Sequence, residues 1–213
     1  MIIDDHPIIH DGLKNLLENE PDLSVAEGAF SSSEALEKLE VVLPDLAVVD
    51  LSLGDSDGTY LIQRIKSRHP KLRILVYSMS EEKLFAERVS SAGAVGYVMK
   101  TESSECLKEA IRQVLNGDTY FSKTIMTRFE KKQAGKGDAY SNLLDILSNR
   151  EMDVLKLVGL GLDTVHIASK LNISRNTADT HRINIKNKLE LPNGKALDRM
   201  AYTLINTGRL VVK

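Results

Sequence analysis

The chain has no tryptophan and only four phenylalanines, so its core must be built from aliphatic side chains. Its one cysteine, Cys106, has no second thiol to pair with, which excludes an intramolecular disulfide. Long hydrophobic runs are missing too. None approaches the ~20 residues that cross a bilayer, and Asp4 and Asp5 interrupt the start before a secretory apolar segment could develop. A signal peptide and a membrane partner are therefore excluded, and a cytoplasmic protein is expected. With 42% hydrophobic and 27% charged residues in 213, disordered and collagen-like classes fall away. There is chain enough for one large domain or two modest ones.

The formal net charge is only −2, but the charge is unevenly distributed. Residues 1–123 carry 21 Asp and Glu against 13 Lys and Arg, whereas residues 142–213 carry 7 against 11. An acidic front and a basic back predict two domains with different partners. Up to about Asn116, β-branched runs alternate with amphipathic segments, the pattern of repeated βαβ units. Strands are predicted at 2–3, 24–27, 46–50, 74–78 and 95–99. Ile8, Leu13, Leu16 and Leu17 mark one helix face, and Leu61, Ile62 and Ile65 another. Ser31 followed by Glu34 reads as a capped helix start. Right-handed crossovers would then build a five-stranded parallel sheet with helices on both faces.

From Lys123 to Ser141 the hydrophobic pattern lapses, and the polar run 131–138 contains two glycines, which predicts a flexible linker. No strand is predicted beyond it. Four helices are expected instead, near 149–160, 163–171, 174–190 and 195–207, with Asp163 and Ser174 as N-caps.

Asp4 and Asp5 follow the first predicted strand, Asp50 and Ser78 end the third and fourth, and Lys100 follows the fifth. In a parallel sheet all of these lie at the carboxyl edge, where open α/β folds bind ligands. Carboxylates packed together repel and raise one another's pKa unless a cation neutralises them. A hard divalent ion with oxygen ligands, Mg²⁺, answers that need. A carboxylate beside Mg²⁺ and a lysine is suited to attack phosphorus, with Asp50 as nucleophile and Ser78 able to hydrogen-bond a phosphoryl oxygen. Taken singly, each residue has an ordinary explanation: a solvated turn, a surface charge, a strand-end cap. Asp50 is hardest to dismiss, because a carboxylate closing the apolar strand Leu46-Ala47-Val48-Val49 is costly unless paired or exposed.

The segments Asp4-Asp5-His6-Pro7, Val48-Val49-Asp50-Leu51, Val76-Tyr77-Ser78-Met79 and Gly96-Tyr97-Val98-Met99-Lys100 resemble the motifs of bacterial two-component receiver domains, over residues 1–121. The resemblance implies a flavodoxin-like sheet of order 2-1-3-4-5 and Asp50 as phosphoacceptor. It also implies Mg²⁺ held by Asp5, Asp50 and the Ser52 carbonyl with Asp4 nearby, and Lys100 as the phosphate's partner. Ser78 matches the family's switch hydroxyl, and Tyr97 the aromatic that reorients with it. Two features depart from the family pattern. Only Met1-Ile2-Ile3 precedes the acidic pair, which predicts a weak first strand. Gly54 stands where relatives often carry proline, which predicts a more mobile loop.

In the basic half, the segment 164–171, the turn Asn172-Ile173-Ser174 and the following helix read as a helix-turn-helix. At helical spacing Ala178, His181, Ile185 and Leu189 point inward, while Arg175, Asp179, Arg182 and Lys186 face away. Such a mixed face suits the major groove, with cations for phosphates and short polar groups for base edges. A catalytic or metal role for His181 is not expected, since no second ligand stands near it. The stretches 147–155, 167–171 and 177–189 resemble the LuxR/NarL-type DNA-binding domain, over about 143–209. That resemblance implies a four-helix domain with Arg175, Thr177, Arg182, Lys186 and Lys188 on backbone phosphates. Asp179, Thr180 and Ile183 would then touch base edges, and the last helix, 197–206, would make a dimer contact.

Together the halves predict a receiver domain at 1–121, a linker at 122–142 and a DNA-binding domain at 143–213. The expected protein is a phosphorylation-controlled transcriptional regulator that binds double-stranded DNA as a homodimer and is served by a sensor histidine kinase or another phosphodonor. It is not expected to be an enzyme: the α/β half would permit a phosphoaspartate hydrolase, but no second acid stands in an Asp-x-Asp arrangement after the third strand. The other alternative is a phosphorylation-independent transcription factor that uses its receiver only as a dimerisation or partner module.

Overall fold

In the computed structural model, which describes residues 1–54, 56–133 and 146–207, five parallel strands form the centre of the first half. They are β1 (Ile2–Ile3), β2 (Gly28–Ala29), β3 (Leu46–Val49), β6 (Arg73–Ser78) and β7 (Gly96–Met99), in the order β2-β1-β3-β6-β7. Counted among these five, that is the expected order 2-1-3-4-5. Helices α1 (Pro7–Glu18) and α5 (Ser104–Leu115) belong to one layer, where Leu13, Leu17, Leu107 and Ile111 pack on Ile2, Val48, Leu75 and Val98. α2 (Ser32–Leu39), α3 (Gly58–Arg68) and α4 (Glu82–Ala92) complete the unit, with Leu61, Ile62, Ile65, Phe85 and Val89 fully buried. Burial on both faces explains why the strands read as unbroken apolar runs. The N-cap of α2 is Ser31, which accepts the Glu34 amide at 3.2 Å.

Three sequence expectations need correction here. The second strand pairs at Gly28–Ala29, not at 24–27, because a ladder is set by what lies opposite: Ile2 aligns with Gly28 and Ile3 with Ala29. The first strand is short but not weak. It pairs with both neighbours, and the Asp4 and Asp50 amides continue its ladder onto the Ala29 and Ile3 carbonyls at 3.1 and 2.9 Å. Finally, Lys123–Gln133 is a helix, α6, not the start of a flexible linker. Its apolar signal is thin, since its one fully buried anchor is Ile125, with the Phe129 ring set edge-on to Phe121 at 5.2 Å. The rest of that linker, residues 134–142, lies outside the described residues. A short antiparallel hairpin, β4 (Ser52–Leu53) with β5 (Ser56–Asp57), follows β3 and was not expected. Two-residue strands are too short to show alternation.

The chain divides into two compact units between Lys131 and Lys132. The second contains α7 (Asn149–Gly159), α8 (Thr164–Lys170), α9 (Arg175–Lys188) and α10 (Gly194–Thr207), close to the four predicted spans. Asp163 and Ser174 cap α8 and α9 as expected, accepting the His166 and Thr177 amides at 2.9 and 3.0 Å. The turn between them places Asn172 at φ 51°, a left-handed conformation that asparagine tolerates. A β-carbon on Gly159 would lie 2.5 Å from the Ala201 carbonyl oxygen, so glycine lets α7 and α10 approach closely.

Candidate functional site

The carboxyl ends of β1, β3, β6 and β7 bring the predicted groups together. Lys100 Nζ lies 2.6 Å from Asp4 Oδ2 and 2.6 Å from Asp50 Oδ2. Both carboxylates are almost wholly buried, at 2% and 4% exposure. Burial pushes the Asp50 carboxyl above its usual range and Asp4 adds to the effect, while Lys100 and the Ser78 hydroxyl oppose it. Burial also disfavours the Lys100 ammonium, but the two carboxylates outweigh it and hold that pKa above the ordinary lysine value.

Asp5 Oδ2 accepts the Gly54 amide at 2.9 Å, with Gly54 at φ 58°. The glycine that predicted a mobile loop instead ties the loop to the acidic pair. Ser52 donates its amide to Asp50 Oδ1 at 3.3 Å. Ser78 Oγ accepts the Ser80 amide at 3.3 Å, and the buried Tyr97 hydroxyl donates to the Ser80 carbonyl at 2.9 Å. The two predicted switch residues therefore meet through Ser80.

Sequence reasoning passed over four residues here. Ser80 is one. His6 Nδ1 lies 3.1 Å from Asp4 Oδ1 and 2.7 Å from Asp5 Oδ1. His10 is buried and donates Nε2–H to the Asp4 carbonyl at 2.7 Å, locking the end of β1 onto α1. Gly58 packs so tightly under the phosphoacceptor turn that a β-carbon would lie 2.5 Å from the Asp50 carbonyl oxygen. Only the glycine, in Asp57-Gly58, carried a sequence signal, that of a close backbone approach. Asp4, Asp5, His6 and Asp50 each offer a ligand atom within 4.8 Å of one another. Asp5 Oδ1 is buried with no hydrogen bond, since His6 approaches it outside hydrogen-bonding geometry. A buried carboxylate oxygen left over in this way fits a divalent cation.

In the second unit, α9 exposes Arg175, Thr177, Thr180 and Ile183, with Asp179 and Lys186 half-buried. Asp179 sits 3.8 Å from Arg175, which offsets its charge. Two cations predicted to face DNA are engaged within the domain instead. Arg182 pairs with Asp198 of α10 at 2.7 Å, and Lys188 with Glu151 of α7 at 2.7 Å. Both lie toward the edges of the buried stripe, within reach of neighbouring helices. His181 is half-buried, and burial lowers its pKa, with Arg150 and Lys188 assisting and Glu151 opposing. On α10 the stripe Leu197, Met200, Ala201 and Leu204 is buried in the domain's own core, so a dimer contact through that helix must use its other face, where Tyr202 is 63% exposed.

A doubly wound sheet whose carboxyl edge gathers three carboxylates, a hydroxyl and a lysine, followed by a helix-turn-helix domain, defines a phosphoacceptor module joined to a DNA-binding one. Residues 1–112 match the family model of the response regulator receiver domain, and residues 145–201 that of the luxR family of bacterial regulatory proteins. The first match covers more than half of the chain, and the chain belongs to the response regulator receiver family. It is similar to the response regulator protein VraR of Staphylococcus aureus, 29% identical over 191 residues and 90% of each chain. Among solved structures it resembles RcsB from Salmonella enterica serovar Typhimurium bound to promoter rprA in the presence of phosphomimetic BeF3−. That likeness has a TM-score of 0.58 and 29% identity, covering 93% of this chain and 95% of that one. A LuxR-family two-component response regulator from Aurantimonas sp. matches at a TM-score of 0.57 and 31% identity, over 63% of this chain and 96% of that one. Among the described residues no helix is long and apolar enough to cross a membrane.

Proposed function

We propose that this protein is a phosphorylation-controlled, DNA-binding transcriptional regulator in which Asp50 is the phosphoacceptor. The observation that carries the reading is Lys100 Nζ at 2.6 Å from both Asp4 and Asp50 at the sheet's carboxyl edge. Asp50 attacks the phosphorus of a histidine kinase's phosphohistidine or of an acyl phosphate. A carboxylate O–P bond forms, the bond to the donor breaks, and the donor group leaves with its electron pair. Lys100 offsets charge on the phosphoryl oxygens, and the Ser78 hydroxyl donates to one of them. Asp5, Asp50 and the Ser52 carbonyl, with Asp4 nearby, would hold Mg²⁺, which neutralises developing charge on those oxygens.

The boundaries we assign are a receiver at 1–121, a connector at 122–142 that begins with α6, and a DNA-binding domain at 143–213. Arg175, Thr177 and Lys186 contact backbone phosphates, and Asp179, Thr180 and Ile183 face base edges in the major groove. Arg182 and Lys188, expected on phosphates, are assigned instead to positioning α9 through Asp198 and Glu151. By analogy with the RcsB–promoter complex, the target is double-stranded promoter DNA, bound by a homodimer in the bacterial cytoplasm. The phosphorylation-independent alternative rested on a weak first strand, and the full pairing of β1 removes that ground.

Titrating DNA with the purified protein before and after acetyl phosphate and Mg²⁺ tests the control step. Treatment should tighten binding on the order of 10-fold; equal affinities would overturn it. Lys186→Ala should weaken binding to all sequences and shallow the salt dependence by about one unit of log–log slope. An unchanged slope would take that lysine off the phosphates.

A further inference from the structure

The helix that leads out of the receiver is gripped at two places, and both are parts of the switch. On one side, the segment before α6 runs parallel to β7. The Tyr97 amide donates to the Tyr120 carbonyl at 2.7 Å, and the Tyr120 amide donates to the Val95 carbonyl at 2.9 Å. The residue whose hydroxyl touches Ser80 therefore holds this segment through its own backbone. On the other side lies the first turn of α4. The Ser122 amide donates to Glu82 Oε1 at 2.8 Å, and Arg128 donates to the Lys83 carbonyl at 3.0 Å. Ile125 seals the seat, at 1% exposure.

Glu82 and Lys83 follow directly on Ser80 and Glu81. Ser80 is fixed at both ends, its amide on Ser78 Oγ and its carbonyl under the Tyr97 hydroxyl. Ser78 Oγ also serves Asp50. If a phosphoryl group on Asp50 draws that hydroxyl toward itself, the Ser80 amide loses its acceptor. The loop that begins α4 then shifts, and with it the two groups that grip α6. These contacts are contiguous from the phosphoacceptor to the connector.

We propose that α6 is an output latch: seated while Ser78 Oγ holds the Ser80 amide, and loosened when Asp50 is phosphorylated, which lengthens the tether to the DNA-binding domain. The proposal rests on the reading of Asp50 as phosphoacceptor. Hydrogen–deuterium exchange on the full chain, with Mg²⁺ alone and with Mg²⁺ plus beryllofluoride as the phosphoryl mimic, tests it. With the mimic, amides of 78–84 should change their exchange, and those of 123–131 should exchange about tenfold faster, the scale of losing one or two hydrogen bonds. A response in 78–84 with 123–131 unaltered overturns the latch and leaves the phosphoacceptor standing; no response in either segment overturns both. Arg128→Ala should speed exchange across α6 without the mimic and shrink the mimic's further effect. Arg128→Lys, which keeps a cationic donor for the Lys83 carbonyl, should restore both. An Arg128→Ala protein that exchanges like the parent overturns the latch.

Discussion

Asp50→Ala should abolish acid-labile phosphate incorporation from acetyl phosphate or a kinase. An alanine has no oxygen to attack phosphorus, and neither Asp4 nor Asp5 stands at the end of β3, where Lys100 and Ser78 converge on one group. The loss should not come from unfolding. Burial already disfavours the Asp50 carboxylate, and removing it leaves Lys100 paired with Asp4 at 2.6 Å. The receiver's stability should therefore change by no more than about 1 kcal/mol, as for substitutions that strand no buried charge. Phosphate retained on the variant, measured alongside a thermal melt showing a folded protein, would remove Asp50 as acceptor.

Glu151→Ala should cost the helical domain about 2–4 kcal/mol, the sum of a lost cap and of hydrogen bonds to a buried charge. Glu151 is 3% exposed. Its carboxylate accepts the Ser148 amide at 2.7 Å and Lys188 Nζ at 2.7 Å, while its own amide is capped by Ser148 Oγ at 3.2 Å. One side chain thus closes the start of α7 and anchors the end of α9. A domain of this size has little stability to spare, so DNA binding should fall with it while the receiver's melting transition stays in place. A shift of the helical domain's transition smaller than about 3 °C would contradict this, given the usual scaling of stability to melting temperature.

The same carboxylate sets a pH response. Burial alone would raise its pKa, but Lys188 and the Ser148 amide together hold it below the ordinary 4.5. A carboxyl depressed on folding stabilises above its unfolded pKa, so this contribution is present near neutrality. It is lost as acid carries the pH down through the folded value.

Much of the site was legible before any coordinates, because strands advertise their ends. Asp50 closes a run of four apolar residues, and Ser78 and Lys100 follow runs of the same kind. A parallel sheet has only one edge where such ends can meet. The helical domain was legible for a related reason: Ser148, Asp163 and Ser174 carry their caps within three residues along the chain. Residues whose partners lie far away were misread. Arg182 and Lys188 looked like free cations until α10 and α7 brought Asp198 and Glu151 to them. The connector looked unstructured because α6 is held mostly by backbone groups and one buried isoleucine, none of which leaves a periodic mark.

From the chain's own letters came the alternation of elements, their order in the sheet, and the identity of the acids, hydroxyl and lysine, since all of these follow from local periodicity and from where polar residues interrupt it. Only tertiary structure decided that Ser80 joins Ser78 to Tyr97, that Gly54 steadies the acidic pair, and which cations stay available for DNA. Those outcomes depend on distances between residues remote in sequence, and hydrogen bonds and ion pairs act only within about 3–4 Å.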